Sequence, residues 1–207
     1  ADAQHGLDLG NQRFTPRRTA LPLHPAKALI FSSYARHDNY AARILDACAR
    51  EGLNAEAAGE QVGRLLRVPE SVLPGYDIVF AKGRCALEAL AAGCAVIVCD
   101  RDGLAGIVTN DNYARFRRFN FGRSLMDRRI DGASLAHEIA KYDAATQPSI
   151  AERTRRDADL ETLVDGLLQV YRRVIAEWAE QEPPSAREGA RAVAGYLKLV
   201  TRQMWDQ

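Results

Sequence analysis

The strongest constraint on the fold of this 207-residue chain is one short apolar run, Ala95-Val96-Ile97-Val98-Cys99. As a strand, this run is apolar on both faces, and such strands occur where helices cover a parallel sheet from both sides. An alanine- and leucine-rich helix is predicted before it over 85–92, and Gly93 ends that helix. Another strand is predicted over 76–80, and a turn is predicted over 100–103 after the apolar run. The order strand, helix, strand predicts an α/β fold.

The segment before residue 60 has the same order of elements. A strand is predicted over 28–31, and a loop of small and polar residues follows it over 32–35. Asp38 or Asn39 is expected to cap a helix that carries one apolar stripe at helical spacing. That stripe consists of Ala41, Ile44, Leu45 and Cys48. A weaker strand is predicted over 53–57, so this part of the chain also favours a parallel sheet.

Helices dominate the prediction after residue 110. The expected helices cover 112–119, 134–141, 150–180 and about 185–204, and the last of them is amphipathic. A short helix with Pro69 in its first turn is expected near 68–73. The predicted organisation is a proline-containing linker over 1–26, a Rossmann-like domain over 27–182 and a C-terminal amphipathic helix over 183–207.

Composition and charge exclude several classes of protein. Hydrophobic residues make up 47% of the chain and the formal net charge is +1, so a globular domain is expected and a nucleic-acid partner is not. The four cysteines (Cys48, Cys85, Cys94 and Cys99) form no CxxC pair, and the four histidines are scattered. We therefore expect a cytoplasmic location, no disulfide, no metal site and no segment that spans a membrane.

Two strand ends are the expected place for a ligand. In a parallel sheet, ligands bind beyond the carboxyl ends of the strands. Ser32 and Ser33 follow the first strand, and Lys82-Gly83-Arg84 follows the strand over 76–80. A glycine at the start of a helix lets a phosphate approach the unpaired backbone N–H groups, and the two cations add positive charge there. The pattern predicts a pyrophosphate site, although a plain strand-to-helix connection explains the same residues.

Glu88 lies four residues after Arg84 on the predicted helix. One interpretation is an ion pair between the two residues on a solvated face. The other is a carboxylate that accepts hydrogen bonds from both hydroxyl groups of a ribose. Neither the spacing nor the residue types decide between them.

Three segments together resemble the donor-binding domain of group 1 glycosyltransferases (family 4). The first is Ala86 to Ile97, which reads ALEALAAGCAVI, and the second is Cys99 to Val108, which reads CDRDGLAGIV. The third is His5-Gly6-Leu7-Asp8-Leu9 with Arg13-Phe14, and the three lie in the family's order. The resemblance implies a protein of two Rossmann-like domains, the GT-B arrangement, of which this chain is the C-terminal one.

The resemblance also implies a function. The donor would be a UDP-, GDP- or ADP-sugar, a hexose-type sugar would pass to an unknown acceptor, and no cofactor or metal would be needed. The acceptor would bind a missing N-terminal domain, which residues 1–26 would follow. Peripheral membrane association of the full-length protein is a further hypothesis. The implied donor-site residues are Ser32, Ser33, Arg36, Lys82, Gly83, Arg84, Glu88, Asp102 and Gly103.

The chain departs from the family pattern at three places. Asp102-Gly103 stands where the family usually has a pair of glycines. Ala81, seven positions before Glu88, stands where the family is expected to have a catalytic glutamate, so the catalytic residue is unknown. Gly106 stands where the second segment of the family has a glutamate. The alternative function is therefore a catalytically inactive nucleotide- or sugar-binding module. A domain that has kept the fold and lost its ligand is the third hypothesis.

A basic stretch with interleaved aromatic residues runs from Arg115 to Arg123. Such composition is found where arginines and aromatic rings stack on nucleic-acid bases. The simpler interpretation is a surface helix and loop whose aromatic rings pack into the core while the arginines stay in water. An acidic protein partner or an anionic lipid-linked acceptor are further alternatives.

Overall fold

The computed structural model describes residues 14–15, 17, 19–180 and 185–205, with side chains up to residue 198. The strands are β1 Lys27–Phe31, β2 Asn54–Ala58, β3 Ile78–Ala81, β4 Ala95–Asp100 and β5 Gly103–Ile107. They form one sheet in the order β2-β1-β3-β4-β5. The first four strands are parallel, and β5 is antiparallel to β4. The predicted α/β class with a Rossmann-like, mainly parallel sheet is confirmed.

Eight α-helices are present in the part of the chain that the structure describes. They are α1 Tyr40–Arg50, α2 Pro69–Val72, α3 Gly83–Ala91, α4 Tyr113–Arg118, α5 Gly132–Ile139, α6 Gln147–Asp157, α7 Leu160–Ala179 and α8 Ala186–Trp205. The cap predicted for α1 is Asn39, whose side-chain oxygen accepts a hydrogen bond from the Ala41 N–H at 3.1 Å. Of the two predicted candidates for this position, the structure therefore selects Asn39 and not Asp38.

One prediction of secondary structure is wrong, and one strand was not predicted. The single helix expected over 150–180 is two helices, because Asp159 starts a new one by accepting a hydrogen bond from the Thr162 N–H at 3.0 Å. The turn expected over 100–103 is present at Arg101 and Asp102, and it joins β4 to the unpredicted strand β5. Gly103 and Gly106 give β5 a weak strand propensity, and its place comes from pairing with β4.

Helices cover the sheet on both faces, as the sequence of β4 predicts. Val96 and Val98 face a core that includes α3, α4 and α6. Ile97 and Cys99 face the opposite core, to which α1 and α5 contribute. Alternate residues of β4 therefore belong to two separate hydrophobic cores, and all six of its residues are buried.

The chain divides into two compact units, Ala1–Val164 and Asp165–Gln207. The sheet and both hydrophobic cores lie in the first unit. Among the side chains that the structure describes, α7 buries none. Large apolar residues on α7 and α8 are exposed, namely Val164, Leu167, Leu168, Val170, Tyr171, Val174, Ile175, Trp178, Val193, Tyr196 and Leu197.

Several predictions concern residues that the structure does not describe. The segment from His5 to Leu9 with Arg13, which contributes to the family resemblance, lies outside the described residues, as does most of the predicted linker over 1–26. The same holds for residues 181–184 and for the side chains of α8 beyond residue 198. Within the described residues, every helix is too short or too polar to cross a lipid bilayer.

Candidate functional site

The strand order creates a crevice between β1 and β3. The chain passes from β1 to β2 in one direction along the sheet and from β3 to β4 in the other, so the order reverses between β1 and β3. Ligands of open α/β sheets bind at such a switch point, beyond the carboxyl ends of the strands. Phe31 and Ala81, the last residues of β1 and β3, are register partners. The predicted loops at Ser32 and Lys82 therefore start side by side.

The first of these loops is held by the end of β2. The Ser32 N–H donates to the carbonyl oxygen of Ala58 at 3.0 Å, and the Ser32 hydroxyl accepts from the Tyr34 N–H at 3.2 Å. A Cβ on Gly59 would lie 2.0 Å from the Ser32 carbonyl oxygen, so only glycine allows this approach. Ser32 is buried and Ser33 is exposed. Of the two serines of this loop, Ser33 is thus the one that meets solvent.

The second loop turns through Gly83, whose φ of +54° favours glycine. A Cβ at this position would meet nothing within 4 Å, so the space above the backbone is open. The Gly83 N–H already donates to the carbonyl oxygen of Phe121 at 2.9 Å. The N–H groups of Arg84 and Cys85 belong to the first turn of α3, where amides have no partner within the helix. These two amides are the backbone donors that a phosphate would meet.

Lys82 forms an ion pair with Asp100, the last residue of β4. The Asp100 carboxylate is fully buried, whereas the Lys82 side chain is partly exposed and its Nζ lies 5.1 Å from the centre of the Tyr34 ring. Tyr40 is buried beside Ser32 and Asp100, and burial is the main cause that raises the pKa of its hydroxyl. The sequence placed Asp100 only at the edge of a turn. The structure makes it the central charge of the crevice.

Arg84 and Glu88 form the ion pair that the sequence offered as one interpretation of their spacing. Arg84 Nε lies 2.8 Å from Glu88 Oε1. The Glu88 side chain is only 7% exposed, whereas that of Arg84 is 72% exposed. The pair is therefore not on a solvated face, because the arginine lies over a buried carboxylate. This arrangement keeps the ribose interpretation open and adds Arg84 as the group that covers Glu88.

The remaining charged residues of the predicted site are paired as well. Arg36 makes two hydrogen bonds to Asp38, which keeps it at the exposed start of the segment before α1. Asp102 lies 3.5 Å from Arg123 and 4.0 Å from Arg101. The sequence treated Lys82 and Arg84 as cations ready to offset a diphosphate. In the structure, each of them already has a carboxylate partner.

Two of the departures from the family pattern have a structural explanation. Ala81 is buried in the core that includes α3, so a carboxylate there would lose its hydration. A Cβ on Gly106 would lie 2.7 Å from Glu138 Oε2, which accepts a hydrogen bond from the Ile107 N–H at 2.8 Å. The carboxylate of Glu138 therefore occupies the space that a side chain at position 106 would need.

The basic aromatic stretch supports the start of α3. Phe116 and Phe121 are buried and their rings meet edge to face, as the simpler interpretation expects. Two residues do not follow the simpler interpretation, since Phe119 is exposed and Arg117 is buried. Arg117 donates a hydrogen bond to the carbonyl oxygen of Asp157 at 3.1 Å. Sequence reasoning missed the role of Phe121, whose carbonyl holds the Gly83 N–H. Its φ of +51° brings the carbonyl there.

The four cysteines lie in the sheet-containing unit. All four cysteines are free thiols, and burial raises the pKa of Cys48 and of Cys85 to about 12. Such thiols are poor nucleophiles at neutral pH. No group of three or more potential metal-ligating side chains lies together among the described residues.

No protein-family model, no curated protein and no solved structure matches this chain. The fold and the geometry of the crevice are therefore the grounds on which a function can be argued.

Proposed function

We propose that this chain is the donor-binding domain of a glycosyltransferase that uses a nucleoside diphosphate sugar. The observation that carries the proposal is the switch point between β1 and β3, where the loops at Ser32 and Lys82 begin next to each other. The resemblance of Ala86 to Ile97 and of Cys99 to Val108 to the family supports it independently.

The diphosphate would lie at the start of α3. Gly83 leaves open space above its backbone, and the amides of Arg84 and Cys85 point out of the first turn of the helix. The positive end of the helix dipole favours an anion at the same place. The exposed Ser33 on the neighbouring loop adds a hydroxyl donor.

Lys82 would have to be shared between Asp100 and the diphosphate. Asp100 is fully buried, so removing its cation entirely would leave an unpaired charge in the interior. Lysine carries three donors on a flexible stem, and one ammonium group can bridge a carboxylate and a phosphate oxygen. The Lys82–Asp100 pair thus presents a fixed cation at the mouth of the crevice.

Glu88 would hold the ribose once Arg84 moves aside. The guanidinium group of Arg84 is 72% exposed and is not confined, so it is able to exchange the Glu88 carboxylate for a phosphate oxygen. The exchange would uncover Glu88 while the charge of Arg84 moves to the diphosphate. In this proposal the acceptor binds a second domain, so the chain by itself binds the donor without rapid transfer.

Thermal unfolding with UDP, GDP and ADP tests the proposal. A nucleotide at roughly 100 times its dissociation constant should raise the melting temperature by about 5 to 10 °C. The shift should be lost in Glu88→Gln and retained in Glu177→Gln, which breaks an equally spaced pair with Arg173 on exposed α7. A shift that survives Glu88→Gln, or no shift with any of the three nucleotides, would overturn the proposed site.

A module that binds the nucleotide without transferring sugar is the second candidate. The observation in its favour is the buried Ala81, since the crevice has no carboxylate at the position where the family is expected to use one. Release of the diphosphate from the matching sugar nucleotide distinguishes the two. Slow release that Lys82→Gln abolishes favours the transferase. Tight binding with no release favours the module.

A further inference from the structure

Three arginines line a small cavity beside the first turns of α1. The cavity has a volume of about 170 Å³, and Arg43, Arg101 and Arg129 lie on its wall. They come from three distant parts of the sequence: α1, the turn after β4 and the loop before α5. None of the three was among the residues that the sequence predicted for a ligand. Only the tertiary structure brings them together.

In the part of the chain that the structure describes, Arg43, Arg101 and Arg129 have no close carboxylate partner, since the nearest ion pair among them is that of Arg101 with Asp102 at 4.0 Å. Arg43 Nη1 donates to the carbonyl oxygen of Ile130 at 3.2 Å, a neutral acceptor. The Arg101 guanidinium lies 5.7 Å from the centre of the Tyr34 ring. Arg129 makes no hydrogen bond or ion pair within the described residues, and Asp131, two positions along the chain, interacts with it electrostatically. The three side chains therefore keep most of their donors for a ligand.

The buried side chain of Tyr40 also belongs to the cavity wall. Tyr40 is 7% exposed, and its hydroxyl interacts with Ser32 and with the Asp100 carboxylate. Because burial raises the pKa of this phenol, it stays protonated at neutral pH. The donors that a ligand in the cavity would meet are therefore those of the arginines.

The cavity has one carboxylate, that of Asp102. It lies 4.0 Å from Arg101 Nε and 3.5 Å from Arg123 Nε, so two guanidinium groups share its charge. The wall remains net positive, with three arginines against one aspartate. The effect of Asp102 is to orient Arg101 rather than to neutralise the cavity.

We propose that this cavity binds a phosphate group, and that it does so whether or not the crevice between β1 and β3 binds a nucleotide. Guanidinium groups form paired hydrogen bonds with the oxygens of a phosphate. Three of them, approaching from separate segments, suit a tetrahedral anion with several oxygens better than a planar carboxylate. The volume is several times the roughly 30 Å³ that a water molecule occupies in the liquid, so a phosphate fits.

Side-chain NMR of the arginine Nε–Hε groups, with inorganic phosphate as the probe, tests this site directly. The signals of Arg43, Arg101 and Arg129 should shift together along one saturable curve. In the double variant Arg43→Gln/Arg129→Gln, the phosphate affinity measured from the remaining Arg101 signal should fall by at least about tenfold. The control Arg172→Gln/Arg173→Gln removes the same charge from exposed α7 and should leave the curve unchanged.

Two results would overturn the proposal. One is a set of shifts that never saturates, and the other is a phosphate affinity that is equal in the parent chain and in a correctly folded Arg43→Gln/Arg129→Gln variant. Circular dichroism establishes the folding of the variant. The failure of this proposal and that of the proposed function are distinguishable. A chain that binds phosphate at these arginines but binds no nucleotide supports this site and contradicts the donor site. Nucleotide binding that depends on Glu88, without a response of these arginines, supports the donor site and contradicts this one.

Discussion

Helices α3 and α7 show how differently two helices rich in apolar residues can be used within a single chain. The sequence predicted α3 from its alanine and leucine content, and α7 lies within the longer helix predicted over 150–180. In α3, six of nine residues are buried in the core below the sheet. In α7, none of twenty residues is buried. The comparison teaches that periodicity predicts a helix and its apolar face, whereas the free energy that the face contributes depends on what covers it.

The electrostatic pairs of the two units differ in the same way. In the sheet-containing unit, Asp100 and Glu138 are buried carboxylates with cationic partners. On α7, the pair of Arg173 and Glu177 is exposed on both sides at 3.9 Å. A buried pair resists the removal of one partner, and an exposed pair contributes little. Equivalent substitutions in the two units should therefore change the free energy of unfolding by different amounts.

The largest difference is expected for leucine truncation. Leu87→Ala in α3 leaves a cavity at a side chain that is fully buried, and should lower the free energy of unfolding by about 3 kcal/mol. Leu167→Ala in α7 changes a leucine that is 47% exposed, and should cost less than about 1 kcal/mol. Urea unfolding followed by circular dichroism measures both. Equal losses would show that α7 is covered as well as α3.

The next difference concerns the removal of one cation. Lys82→Met should lower the free energy of unfolding by about 2 kcal/mol at neutral pH, because Asp100 would remain buried without its partner. Arg173→Met, which breaks the exposed pair with Glu177, should change it by less than about 0.5 kcal/mol. Lys82→Met combined with Asp100→Asn should recover part of the loss. If the double variant is no more stable than Lys82→Met, the loss of stability in Lys82→Met does not come from the unpaired Asp100 carboxylate.

A smaller effect is expected in the pH dependence of stability. Burial raises the pKa of Glu138, but hydrogen bonds from Lys141, the Ile107 N–H and Arg128 outweigh it, so the pKa lies below its ordinary value. A carboxylate with a lowered pKa stabilises the fold above its unfolded pKa of about 4.3, and this contribution is lost as the pH falls through the folded pKa.

Glu138→Gln should therefore flatten the fall in melting temperature between neutral pH and pH values below about 4. Glu188→Gln is the comparison in α8, where the Ser185 hydroxyl and N–H lower the pKa of a fully exposed carboxylate. It should leave the profile of the sheet-containing unit unchanged. Differential scanning calorimetry over this pH range gives the two curves. A profile unaltered by Glu138→Gln would show that other carboxylates cause the fall in melting temperature at low pH.

The smallest difference is expected at the helix caps. Asn39→Ala removes the acceptor for the Ala41 N–H at the start of α1, which packs on the sheet, and should cost about 1 kcal/mol. Ser185→Ala removes a cap that is 3.3 Å from the Glu188 N–H, and should shorten α8 without changing the unfolding of the sheet. Hydrogen exchange of the first-turn amides separates the two effects. A global loss from Ser185→Ala would contradict the comparison.

The sequence by itself determined the fold class and the two strand ends that border the crevice. Strand β4 is apolar on both faces, and that requires cover from helices on both sides whatever their identity. The carboxyl ends of parallel strands share one edge, so the loops at Ser32 and Lys82 were expected at the same edge before any coordinates. Local capping chemistry also limited the start of α1 to Asp38 or Asn39, and the structure selected Asn39.

Only the tertiary structure decided the rest, because the contacts involved join residues far apart in the sequence. The glycine-rich β5 is a strand because β4 supplies its hydrogen bonds, and no local propensity indicates that. The pairing of Lys82 with Asp100 and the support of Gly83 by the Phe121 carbonyl follow from how the strands and loops pack. The cavity of Arg43, Arg101 and Arg129 has the same origin, since its charges become one site only when three separate segments converge.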